Sequence, residues 1–189
     1  MNKNDEVYFH EDDYCQQEIL PAAALDFCRS EIVEIDEFAS EHRAPDGAGW
    51  TEAFLRDDSP AKLSDLGITA EQFRAIIREH LPEIPVVYTG YGEYRERCEQ
   101  TSGFGFHADC IIYADWDEAG IVEHIWTGIF TTDETELAAV ISAVQSLGKQ
   151  FPLLYVDWAW SFVTLIDQSG DLQGKLDSKM TELARRMEE

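Results

Sequence analysis

His107 and Asp109 stand one residue apart, which on a strand puts an imidazole and a carboxylate on the same face. With His124 on a following strand they form the one group in the chain whose types suit metal binding or proton transfer. A zinc site asks for three or four placed ligands, and an enzyme asks for a nucleophile or substrate donors beside its acid and base. The sequence singles out neither. The structural alternative is that His107 and Asp109 hydrogen-bond each other or nearby backbone. His10-Glu-Asp-Asp13 offers oxygen ligands, but it lacks the glycine and spaced carboxylates of a calcium loop and reads as an exposed turn. Gly-x-Ser-x-Gly, a lysine-bearing phosphate loop and His-Glu-x-x-His are all absent. The expectation is a chain that binds and does not catalyse, and that needs no cofactor or metal.

Carboxylates beside aromatic rings offer a second kind of chemistry. A formal net charge of −24, from 38 acidic against 14 basic side chains, is spread along the chain. Such a surface repels nucleic-acid phosphates and anionic lipid head groups, so neither is expected as a direct partner. It attracts a basic protein, because charge steers approach while a buried aromatic supplies contact energy. Asp12, Asp13 and Tyr14 fit that description, as do Tyr91 and Glu93 with Tyr94, and Asp115, Trp116, Asp117 and Glu118. The plainer alternative is that the acidity only keeps the protein soluble.

The elements that must position these groups centre on residues 104–132. Phe104–Trp116 and Ile121–Thr132 are β-branched and aromatic runs separated by Asp117–Gly120, which predicts a hairpin. An even loop sets Trp116 opposite Ile121, Ile112 opposite Ile125 and Ala108 opposite Ile129. Phe106, Ala108, Cys110, Ile112, Ala114 and Trp116 then share a dry face. His107, Asp109, Ile111 and Tyr113 lie on a mixed face where buried polar chemistry would belong.

Upstream, Val7–Pro21 reads as β-formers, an acidic turn and a strand, and apolar spacings of three and four predict a helix from Ala22 to about His42. A loop at 43–49 and a short strand at Trp50–Arg56 follow. Thr69 and Gln72 form a capping box that opens a helix running toward Leu81 and Pro82. Pro85–Tyr91 is a further strand. Downstream come a helix capped near Asp133 and ended by Gly148, one long strand at Leu153–Asp167 with Trp158 and Trp160 on one face, and a closing helix marked by Leu172, Leu176, Met180, Leu183 and Met187. This order predicts one α+β domain over residues 1–189, a mainly antiparallel sheet built on the central hairpin with amphipathic helices packed on it. An exposed hairpin edge or the Trp158/Trp160 face would allow a homodimer or larger scaffold.

Cys15, Cys28, Cys98 and Cys110 have no Cys-x-x-Cys spacing and read as reduced, mostly buried thiols. The first residues, Met1 to Glu6, hold no apolar leader, and no run approaches the length of a membrane span, so a cytoplasmic location is expected.

Phe9-His-Glu-Asp-Asp-Tyr-Cys-Gln16, Ile19-Leu-Pro21, Gly49-Trp50, Leu66-Gly-Ile-Thr69, Asp109-Cys-Ile-Ile-Tyr113 and Val156-Asp-Trp158 together give the chain a resemblance to the immunity proteins of bacterial polymorphic-toxin systems. The resemblance implies a small, acidic, cofactor-free α+β protein that blocks a cognate toxin domain by binding it. It carries over no catalytic residues.

Overall fold

The computed structural model describes residues 6–47, 49–166 and 170–187, so the leader reading at Met1–Asp5 and the Asp167 end of the last expected strand lie outside it. The chain enters through β1 (Glu6–His10), an acidic turn and β2 (Gln17–Pro21), then α1 (Leu25–Glu41). After a long connection come α2 (Ala70–Ile77), β3 (Glu83–Ile84), β4 (Val86–Gly90), β5 (Glu96–Arg97) and the meander β6 (Thr101–His107), β7 (Cys110–Trp116) and β8 (Val122–Ile129). It closes with α3 (Glu134–Gly148), β9 (Leu153–Asp157), β10 (Phe162–Leu165) and α4 (Asp171–Met187). Seven strands form an antiparallel sheet in the order β10-β9-β2-β8-β7-β6-β3, and β1, β4 and β5 form a second sheet in which β1 and β4 run parallel. The fold is α+β and mostly antiparallel, as the order of elements predicts.

Local signals decide several boundaries. Thr69 Oγ1 accepts the Gln72 N–H at 3.1 Å and Gln72 Oε1 accepts the Thr69 N–H at 3.0 Å, the reciprocal pair that starts α2. The Asp133 carboxylate accepts the N–H groups of Thr135 and Glu136 and starts α3. Gly148 does end α3, though not as a left-handed cap. Any Cβ there would collide with Ile166, so the glycine serves a close approach of helix to chain.

The expected two-armed hairpin is a three-stranded meander. Ala108 and Asp109 form a two-residue turn between His107 and Cys110, and a register shift between Gly105 and His107 offsets the change of parity that such a turn makes, so the alternation of the sequence runs through it unbroken. Gly105 permits the turn, since a Cβ there would strike the Cys110 carbonyl. Phe106 and Ala108 consequently lie exposed instead of on the dry face. The β7/β8 register is Cys110 with Ile129, Ile112 with Thr127 and Ala114 with Ile125, two residues from the expected one. A slip of two preserves parity, so Cys110, Ile112 and Ala114 do share the dry face with Ile125 and Ile129.

Two other strand assignments change. Trp50–Arg56 has no sheet neighbour beyond a single bridge at Trp50, and is held instead by side chains. Arg56 donates to Glu18 Oε1 at 2.9 Å and to the Cys15 carbonyl at 3.2 Å, with its guanidinium 4.3 Å from the Trp158 ring centre. The long strand at Leu153–Asp167 is a hairpin. Ser161 takes φ 49° and the Asp157 carboxylate accepts the Trp160 N–H, which turns the chain and moves Phe162 onto the face of Leu153 and Tyr155. Trp158 is buried, and Trp160 is half-buried with Arg186 over its ring, so the tryptophan face expected to pair with a second copy is occupied. Each outer strand of the meander has a neighbour in the sheet, β3 beside β6 over Glu83–Ile84 and β2 beside β8 at Glu18. Among the described residues no helix is long and apolar enough to cross a membrane.

Packing follows the faces. One side of the seven-stranded sheet carries α2, α3 and α4 through Phe73, Ile77, Val140, Val144, Leu172 and Leu176. The other side carries α1 over Leu154, Val156 and Trp158, and the small sheet over Ile111, Tyr113 and Trp126.

Two buried polar contacts fasten these layers. Lys179 Nζ lies 2.7 Å from Asp157 Oδ2, with the side chains 1% and 0% exposed, and this pair ties α4 to β9. Burial raises the Asp157 carboxyl and lowers the Lys179 amine, and their mutual attraction opposes both shifts. Lys179→Met leaves a buried unpaired carboxylate and should cost about 3–5 kcal/mol in urea unfolding. Adding Asp157→Asn should restore part of that, because the amide oxygen can still accept from Trp160. The second contact is Gln17, whose Oε1 accepts the Ile129 N–H at 3.1 Å and sits 2.9 Å from the Tyr155 hydroxyl and 3.1 Å from that of Thr127. Gln17→Leu should lower the unfolding free energy by about 2–4 kcal/mol by orphaning these groups, with the exposed neighbour change Gln16→Leu within about 0.5 kcal/mol of wild type.

Candidate functional site

Tyr113 and Trp126 are direct partners across β7 and β8, on the mixed face, and their rings stack with centroids 5.2 Å apart at 16°. Phe9 of β1 tilts onto both rings, and Tyr14, from the acidic turn, meets Trp126 edge-on at 4.9 Å. Four aromatic side chains from β1, the turn, β7 and β8 thus join the small sheet to the large one. Beside them lies a cavity of about 240 Å³. Its lining takes Tyr113, Trp126 and Gln17 from the interior and Asp13, Asp109 and Phe130 from the exposed rim.

The aromatic group holds two unpaired donors. Tyr113 OH and Trp126 Nε1 are buried without a hydrogen-bond partner among the described residues. Burial first, then the negative charges of Asp13 and Asp109, push the Tyr113 phenol up, so it stays protonated at neutral pH. These two ring donors lie on the mixed face, whereas the buried Thr127 hydroxyl lies opposite Ile112 on the dry face, and His107 and Asp109 of the mixed face are exposed. Phe9 is not legible from that alternation, because β1 reaches the site by parallel pairing with β4, and neither is Gln17, which comes from β2.

The acidic and aromatic segments marked from sequence come together in part. Tyr14 OH donates to Asp115 Oδ2 at 3.4 Å, so the Asp12-Asp13-Tyr14 turn touches the end of β7, 101 positions away. His10, at the start of that turn, meets the Tyr91 ring edge-on at 5.1 Å, which brings in the loop with Tyr91, Glu93 and Tyr94. Asp12, Asp13, Tyr14, Tyr91 and Glu93 are all exposed.

The other expected partner residues are committed to the fold. Trp116 points from β7 to the opposite face from Asp115, and its ring lies beneath Arg74 at 4.3 Å. Asp117 Oδ1 accepts the Ala119 and Ile121 N–H groups and shapes the turn. Of that group only Glu118 is exposed at the turn's tip.

His107, Asp109 and His124 do not converge. His107 Nε2 lies 2.9 Å from Glu136 Oε2, the Asp109 carbonyl accepts the Phe130 N–H, and His124 Nδ1 lies 3.0 Å from Asp115 Oδ1. The reason is register: the two-residue turn puts His107 beside Cys110, while His124 pairs with Asp115 at the far end of the strand. Among the described residues no three His, Cys, Asp or Glu side chains are grouped to hold a metal. All four cysteines are free; burial pushes the Cys28 and Cys110 thiols up to about 12 and raises Cys15 and Cys98 as well. They stay protonated at neutral pH and act as packing groups.

No family model, curated protein or solved structure matches the chain.

His124 gives a measurable handle on the rim. Its hydrogen bond to Asp115 raises its pKa above the usual 6.5, against the opposing effect of burial. A raised folded-state value means the pair stabilises fully below the unfolded pKa of about 6.5 and loses that contribution as pH rises through the folded value. With His124 about half exposed, the effect should stay below about 1 kcal/mol. NMR titration should place the His124 midpoint above 6.5 in the wild type and lower in Asp115→Asn, and the alkaline loss of stability should vanish in His124→Gln.

Proposed function

We propose that the chain is an acidic, cytoplasmic binding protein that occludes a basic protein partner, in the manner of an immunity protein covering its cognate toxin domain. One observation carries this reading: the Tyr14–Asp115 contact and the His10–Tyr91 contact gather three acidic and aromatic segments, distant in sequence, onto one rim. Asp12, Asp13 and Glu93 supply exposed charge there, and Tyr14 and Tyr91 supply exposed rings at 38% and 62%. Clustered carboxylates with aromatic anchors suit a cationic surface, where charge sets the rate of approach and the rings set the lifetime of the complex. The overall charge of −24 adds long-range attraction for the same partner. A standard interface would cover about 800 Å² on each protein, which calls for the rim and its neighbours together. Inhibition by coverage needs no catalytic group, cofactor or metal.

Immobilised protein should retain a basic protein from a lysate of its native host, identified by mass spectrometry, with retention falling at about 0.5 M salt as screening shortens to a few ångströms. A variant carrying Asp12→Asn, Asp13→Asn and Glu93→Gln should retain about tenfold less while keeping the wild-type circular dichroism. Recovery of no basic protein, or equal retention by the neutralised variant at both salt concentrations, overturns the reading.

A further inference from the structure

We propose that the groove between α1 and residues 50–56 takes an extended, lysine- or arginine-bearing segment of the basic partner, laid along residues 52–56 as an added strand. The source of that segment rests on the partner reading; the groove adds a second contact surface to the rim.

The backbone sets the first requirement. Residues 50–56 read as a strand in the sequence, yet beyond the bridge at Trp50 no strand lies beside them. The Thr51 N–H donates to the His42 carbonyl and the Asp57 N–H to Glu31 Oε2. Between them no backbone group of residues 52–56 has a hydrogen-bond partner among the described residues. Glu52, Ala53 and Leu55 are exposed, so the run is open to a second chain. A row of unpaired N–H and C=O groups is a template for an incoming extended segment, whose own backbone supplies the missing partners.

The walls set the second requirement. Residues 51–54 and Arg56 line a groove of about 820 Å³ together with Asp36, Phe38 and Ala39 of α1. Phe38 and Phe54 meet edge-to-face at 5.4 Å, and the Trp50 ring, 63% exposed, is held by its indole N–H on the Ala39 carbonyl at 3.1 Å. A ring fixed while exposed offers contact area at little ordering cost. Alternate side chains of an added strand face these rings, so they must be apolar.

Charge names the occupant. The exposed charges of the lining are Asp36, which accepts the Ser161 hydroxyl at 2.6 Å, and Glu52, whose Oε2 lies 3.8 Å from His42 Nε2. The lining cation, Arg56, is spent on Glu18 and Trp158. A second copy of this chain would bring −24 to the same carboxylates and is repelled, as is an anionic lipid surface. Lysine and arginine instead lay their stems along rings and set their charges on the rim. Gln16 lines both this groove and the cavity that Asp13 lines, so a segment seated here is continuous with the acidic rim.

Three short capped peptides separate these requirements: alternating lysine and valine, alternating glutamate and valine, and the lysine peptide with every backbone nitrogen methylated, which has no N–H to donate. Each is titrated into ¹⁵N-labelled protein while the Trp50 indole N–H, assigned with Trp50→Phe, and the amides of Ala53, Phe54 and Leu55 are followed. The lysine peptide should shift the indole saturably in the millimolar range and slow hydrogen exchange at those amides. The methylated peptide should bind at least about tenfold more weakly, and the glutamate peptide should give no saturable shift. Asp36→Asn with Glu52→Gln should weaken the lysine peptide about tenfold while keeping the wild-type circular dichroism. The proposal is overturned if the lysine peptide gives no saturable shift, if the glutamate or methylated peptide binds as well, or if the folded double variant keeps full affinity. Retention of a basic protein without peptide binding overturns the groove alone, whereas peptide binding without retention overturns the partner reading and leaves the groove a site for a basic segment.

Discussion

The large sheet is held together at its middle by a joint that the backbone alone does not close. β2 pairs with β9 over Gln17–Pro21 but meets β8 at a single position, Glu18 with Trp126. A splayed ladder leaves buried N–H groups without partners, and a buried orphan costs about as much as the bond it lacks. Gln17 repairs this by putting its side-chain oxygen where the missing strand carbonyl would be, against the Ile129 N–H. The hydroxyls of Thr127 and Tyr155 meet the same oxygen, so β2, β8 and β9 converge on one atom. The splay has a spatial consequence. It opens the room beside Trp126 and Thr127 in which the cavity lies, and Gln17 is both the repair of the joint and part of that cavity's lining.

A second constraint is how a chain with so few cations distributes them. Several basic side chains are placed against the protein's own carboxylates or rings: Arg56 on Glu18 and Trp158, Arg74 on Glu83 and Trp116, Arg78 on Glu83, Lys179 on Asp157, and Arg95 over Tyr88. Each is a local device. Arg56 holds an extended segment that lacks strand partners, and Lys179 docks the closing helix. Using cations in this way leaves the carboxylates of the His10–Tyr14 turn and the Tyr91–Tyr94 loop largely uncompensated, which is why the excess negative charge appears there as a surface property.

What was legible in the sequence follows from which physical signal was periodic. Helix faces, the capping box at Thr69 and the dry face of Cys110, Ile112 and Ala114 were readable because burial imposes a period of 3.6 or 2 on apolar residues. Turns within an apolar run were not: the register shift at Gly105–His107 keeps the alternation in step across the Ala108-Asp109 turn, and the four-residue break at Trp158–Ser161 carries bulky apolar side chains of its own. The same gap misplaced His107 relative to His124. Sequence proximity also misled at Asp115-Trp116, where neighbours in the chain face opposite sides of a strand. The site itself was half legible: the mixed face pointed to Tyr113 and Trp126, whereas Phe9 and Gln17 reach it through a parallel pairing and a ladder gap that leave no local mark.

The rim assigns different tasks to carboxylates of the same kind. Asp115 accepts the His124 backbone N–H at 2.9 Å, faces its imidazole and receives the Tyr14 hydroxyl, so its lone pairs are largely committed within the protein. Its work is positional: it fixes the ring of Tyr14 at the mouth of the aromatic group. Asp12 and Glu93 are exposed and carry no comparable set of contacts, so they are the charges that can respond to a partner's field. Asp13 stands between the two roles, exposed on the turn yet part of the cavity lining, where its charge acts on Tyr113. In the complex we propose, a cation drawn to Asp12 and Glu93 would arrive beside a rim whose aromatic ring is already fixed. The cost of ordering that ring is met in folding and not in binding, which is how preorganisation lengthens the life of a complex.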